Sequence, residues 1–103
     1  MAFNGNEGEQ VTLDQAAAWT KRYRTSNPTA IKATFYGINK INDVLNQPNV
    51  VGIRFYNGED QNGVNNLILV GVDANEDDIT TGIIMESGLT CPNYCGVVNQ
   101  LNS

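Results

Sequence analysis

VVGIRFYNGEDQNGVNNLILVGVDA, residues 50–74, decides how this chain is read: two apolar, branched-rich runs flank a polar segment with two Asn-Gly steps. That pattern predicts a long β-hairpin. In the first run the two-residue period sets Val51, Ile53 and Phe55 on one face and Val50, Gly52, Arg54 and Tyr56 on the other. The second run, residues 67–74, is apolar on both faces, with Leu67 and Leu69 on one and Ile68, Val70, Val72 and Ala74 on the other. Such a strand belongs in the centre of a sheet. Its second neighbour is expected at residues 79–86, ITTGIIME, joined through the acidic turn 75–78.

The register depends on the turn. If Asn62-Gly63 is a two-residue turn, Arg54 faces Gly71 and lies diagonal to Asp73, a structural or interaction pair within reach of so long a side chain. If the loop centres on Gln61 and Asn62, Gly52 faces Gly71 instead. Helices flank this hairpin on its N-terminal side. Thr12 is an N-cap with Gln15 closing a capping box and Asp14 in the first turn, and Leu13, Ala16, Ala17, Trp19 and Tyr23 form an arc expected to pack. Asn27-Pro28 ends this helix. Residues 30–35 read either as a helical turn or as extended chain. A second helix is predicted over residues 38–46, with Ile38, Ile41 and Leu45 on one stripe, Val44 beside it and Pro48 as the stop. The fold class is therefore α+β, a two-layer arrangement of an antiparallel meander of about three strands against two or three helices.

A chain of 103 residues, 41% hydrophobic and 17% charged, fits one ordinary globular domain. Residues 1–10 are Gly, Asn and Glu around a lone Phe3 and read as a flexible tail, leaving residues 11–103 as the domain. No apolar run is long enough to span a membrane and the N-terminus reads as no leader, so a cytoplasmic setting is expected. The chain holds no histidine, which removes classical triads and His-based metal sites. Charge is unevenly spread: residues 15–40 hold five bases and no acid, whereas from residue 41 onward eight acids stand against Arg54 alone. The net charge of −5 argues against nucleic acid as partner.

Three clusters carry candidate chemistry. Asp73, Asn75 and Asp77 alternate like the first ligands of a calcium loop, but Asp78 and Ile84 stand where that loop needs glycine and a bidentate Glu, so an acidic β-turn is the better reading. Cys91 and Cys95, in CPNYC, have three residues between them rather than the two of a thioredoxin-like pair. They read as packed thiols or a local disulfide before a redox or shared-metal site. The basic stretch with Trp19, Tyr23, Phe35 and Tyr36 is explained by helix-end cations and an aromatic core stripe.

AAAWTKRYR (16–24), FYG (35–37), VLNQP (44–48), GIRFYNG (52–58), LVGVDA (69–74) and CPNYCG (91–96) together resemble a group of small uncharacterised bacterial proteins with the same order of elements. The resemblance covers residues 11–96 and implies a complete small domain. It implies no activity, functional residue or cofactor. The residues thus point first to a non-enzymatic module that self-associates or docks a protein partner through the sheet or the basic helix face, its asymmetric charge steering the encounter. A thiol-redox or metal-binding protein built on Cys91 and Cys95 is the second class, and a small-molecule binder or enzyme with a pocket between helices and sheet the third. No catalytic residue and no cofactor is indicated. The surface expected to dock is an uncovered face of the sheet, marked by Arg54 and Asp73.

Overall fold

A computed structural model describes residues 2–103 and shows an α+β fold with two helices and antiparallel sheets. Two compact units divide the chain: residues up to Glu7 with Tyr36–Gly88, and Gly8–Phe35 with Leu89–Ser103.

The first unit is built on the predicted hairpin. β2 (Gly52–Glu59) and β3 (Asn65–Val72) pair antiparallel, and β4 (Ile84–Met85) adds to the far side of β3, giving the order β2-β3-β4. β3 is central, as its two apolar faces require. The register matches neither expected alternative: Gly71 stands opposite Ile53, and Arg54 faces Val70. The reason lies in the turn. Gly63 N–H donates to Asp60 C=O (3.0 Å), Asp60 N–H donates to Val64 C=O (3.0 Å), and Gly63 takes a left-handed φ of 78°. This is a turn followed by a left-handed residue, a three-residue hairpin loop, which moves every partner by one residue from the two-residue geometry. The Asp60 carboxylate secures it by accepting the N–H groups of Asn62 (2.8 Å) and Val64 (2.9 Å).

The next turn repeats this arrangement bond for bond. Asp73 Oδ1 accepts the N–H groups of Asn75 (2.9 Å) and Asp77 (3.1 Å), Glu76 N–H donates to Asp73 C=O, and Asp73 N–H donates to Asp77 C=O. Glu76 holds the left-handed position with a φ of 71°, where the first turn has glycine. Beyond it the expected strand over residues 79–86 is interrupted. Asp78 bridges Val72 and Ile79 N–H bonds Gly71 C=O, but residues 80–83 leave the ladder before Ile84 and Met85 rejoin it opposite Val70 and Leu69. Gln47 occupies the excursion. Its Oε1 accepts Ile83 N–H (2.7 Å), its Nε2 donates to Val44 C=O (2.9 Å), and a Cβ at Gly82 would run into Oε1.

α2 (Ile38–Leu45) covers one face of the sheet. Val44 is fully buried while Ile38 is 73% exposed, so the stripe expected on Ile38, Ile41 and Leu45 is centred one residue away, on Val44. Gly71 permits the close approach: a Cβ there would stand 2.9 Å from Val50 Cγ2 and 3.7 Å from Val44 Cγ1. Leu69 is buried on this side, and Val70 and Val72 are buried on the other. The expectation of an uncovered apolar face on this strand is therefore overturned. Phe3, read as part of a flexible tail, donates its N–H to Ala74 C=O (2.9 Å) and sets its ring 5.8 Å from the Arg54 guanidinium carbon.

In the second unit α1 (Leu13–Ser26) starts at the predicted cap, Thr12 Oγ1 accepting Gln15 N–H (3.1 Å), and ends at Asn27. The arc expected to pack does not: α1 buries no residue, Trp19 and Tyr23 are about half exposed, and only Ala16 and Ala17 of the arc are partly covered. β1 (Ala33–Phe35) settles the ambiguous segment as extended and pairs antiparallel with β5 (Leu89–Cys91). Two of the basic residues, Arg24 and Lys32, donate to the carbonyls of Leu101 (2.6 Å) and Asn102 (2.9 Å) and tie down the C-terminal turn.

Candidate functional site

Arg54 and Tyr56 lie two residues apart in β2 and so project from the same face, the one opposite α2. The second Asp turn carries Asp78 back beside Val72, within reach of both. Arg54 Nη1 donates to Asp78 Oδ1 (2.6 Å) and Tyr56 Oη donates to Asp78 Oδ2 (2.5 Å), so each carboxylate oxygen has its own donor. Longer contacts of 3.4 Å run from both Arg54 Nη atoms to Glu76 C=O. The Tyr56 hydroxyl and then the Arg54 guanidinium hold the Asp78 carboxyl below the usual carboxylate range, and the Asp78 hydrogen bond raises Arg54 in turn. Arg54–Asp78 is the single ion pair within the described residues.

The pair expected between Arg54 and Asp73 is not formed. Asp73 turns its carboxylate onto its own turn, and the shifted register directs Arg54 to Asp78. Asn75 and Asp77 contribute backbone N–H groups to that turn, which makes the three alternating residues a turn cap. Among the described residues no group of three or more His, Cys, Asp or Glu side chains is placed to hold a metal ion. Cys91 and Cys95 are joined by a disulfide with a Cα–Cα distance of 4.7 Å. Cys91 is buried in β5, and Cys95 accepts a hydrogen bond from Asn102 Nδ2 (3.1 Å) at its carbonyl, so the link fastens the C-terminal turn to the two-stranded sheet.

Beside Arg54 an open cleft of about 460 Å³ separates Phe3, Gly5 and Glu7 from residues 51–55 of the hairpin. Its walls are largely apolar, with Glu7 and Arg54 as the charged groups. Glu7 folds back on its own segment: its two carboxylate oxygens accept the N–H groups of Asn4 and Gly5, both at 2.9 Å, and these bonds lower its pKa. The cleft borders β2, the edge strand of the sheet, and reaches Val72 of β3. Because Asp60 and Val64 form a hydrogen-bonded pair, the even-numbered residues of β2 bond β3 and the odd-numbered ones face away. The N–H and C=O groups of Ile53, Phe55, Asn57 and Glu59 therefore point outward. Phe55 is 56% exposed there, and Asn57 and Glu59 are exposed beside it.

Sequence reasoning missed Asp78, Tyr56, Phe3 and Glu7. The signal for Asp78 was present as the repeated Asp-x-Asn pattern at Asp60 and Asp73, which marks two equal turns and hence where the chain returns. No known protein family, curated protein or solved structure matches the chain.

Proposed function

We propose that this chain is a non-enzymatic protein-interaction module that takes an extended segment of a partner protein on the outer edge of β2. The observation that carries this reading is the edge itself: an eight-residue strand at the margin of the sheet, with its odd-numbered backbone groups turned outward and Phe55 exposed. Strand addition to such an edge supplies main-chain hydrogen bonds for affinity and alternate side chains for selection. Asn57→Pro tests it. Proline removes an outward N–H without touching the ladder to β3, a change edge strands tolerate. Proteins retained by the wild-type chain and lost by Asn57→Pro, with circular dichroism unchanged, are the expected result. Equal retention by both would overturn the reading.

The cleft favours a second reading, a small-molecule binder. Its volume lies within the range of ligand pockets, and Glu7 and Arg54 converge on apolar walls. A fragment screen by NMR decides between them, since a small-molecule site predicts shifts clustered on residues 3–7 and 51–55 that Asn57→Pro leaves intact.

A further inference from the structure

The chemistry of the occupant follows from the charges around the edge, granted that β2 docks a strand. The sheet unit carries nine acids against Lys40 and Arg54. Arg54 is already engaged by Asp78. Glu59 and Asp60 stand exposed at one end of β2, and Glu7 lines the cleft at the other. A second copy of this sheet unit is the wrong occupant. Antiparallel pairing of β2 with itself brings Glu59 and Asp60 of each copy toward Glu7 of the other, and like charges across paired strands destabilise.

We propose that the edge selects a basic, extended segment of a partner protein, with Lys or Arg facing Glu59 and an apolar residue facing Phe55. Directly opposed residues in an antiparallel pair share a face, and Phe55 and Glu59 share theirs. Since the added strand runs against β2, its basic residue precedes its apolar one by four positions. The pattern sought is therefore Lys or Arg, three residues of any kind, then Phe, Leu, Ile or Val. The apolar residue covers the exposed Phe55 ring, and the basic residue sits at the acidic end of the edge.

The test uses the full chain, labelled with ¹⁵N, and a short threonine-rich peptide carrying Arg four residues before Phe. A second peptide has Glu in place of that Arg. The expected result is shifts of the Ile53, Phe55, Asn57 and Glu59 amides, with the Arg peptide bound about five-fold more tightly than the Glu peptide at low salt. Glu59→Lys should reverse that order, and high salt should shrink it. Equal binding of both peptides, abolished by Asn57→Pro, would keep the docking edge and overturn the charge selection. Binding of neither peptide, with those amides unmoved, would remove the docking reading itself. A dimer in light scattering that Asn57→Pro dissociates would make a second copy the occupant and overturn the proposal.

Discussion

Asp78 ties two donors from one face of β2 to the turn that follows β3, and its stability contribution depends on pH in a defined sense. Its folded pKa lies below that of the unfolded chain, so the contribution is complete above the ordinary Asp value of about 4 and is lost as pH falls through the lowered native value. Glu7, whose pKa its backbone hydrogen bonds also lower, acts in the same direction. Denaturant midpoints measured from neutral to acidic pH should fall less steeply for Asp78→Asn than for wild type; parallel curves would contradict the assignment. Gly63 makes a sharper case, because its φ of 78° suits a residue without a Cβ. Gly63→Ala should cost about 1–2 kcal/mol in chemical unfolding. At the matching position the second turn carries Glu76 in the same conformation. That residue hid the equivalence of the two turns from a reading that looks for Asn-Gly.

At the level of elements, the strands were legible because β2 follows the two-residue period and β3 is an apolar, branched-rich run bounded by turn signals, and α1 because its cap and stop are both explicit. Partner faces were less legible. The arc of α1 satisfies helical periodicity, yet Trp19 and Tyr23 stay half exposed, since periodicity states which residues share a side and not whether anything lies against it. β4 was overextended for a related reason. Ile79, Ile83 and Ile84 suit a strand, but the excursion between them is held by Gln47, which lies far away in sequence. A double-mutant cycle addresses that contact. Gly82→Ala displaces the Gln47 amide and should cost about 1 kcal/mol through the lost Ile83 bond. In a Gln47→Ala background, where that bond is already gone, the penalty of Gly82→Ala should largely vanish. An unchanged penalty would place the strain in the Gly82 backbone or against Ile79 instead.

Across the whole molecule, charge and chemistry separate between the two units. Nine of the eleven acids and the candidate edge belong to the sheet unit, whereas four of the six bases and both cysteines belong to the other. Composition alone showed that imbalance. It could not reveal that the register would turn Arg54 away from Asp73, because a single loop residue decides it. The disulfide closes a small ring, and removing it through Cys91→Ser and Cys95→Ser together should cost about 2 kcal/mol in the chain-entropy account. Hydrogen exchange should then rise first at Asn102 and Ser103, whose N–H groups bond Asn99 C=O within the turn that the link fastens.

The twin Asp turns bear on how the sheet comes together in time. Each closes from five consecutive residues, with bonds that need nothing beyond a carboxylate and the local main chain. Either can therefore form before distant contacts exist, and both abut the same central strand. Pairing can zip outward from two nuclei across short sequence separations, a topology that favours rapid folding. Asp60→Ala and Asp73→Ala should then slow refolding more than they speed unfolding, which stopped-flow chevrons would register as high φ-values for both residues. Low values at both would place the turns among the last parts to set.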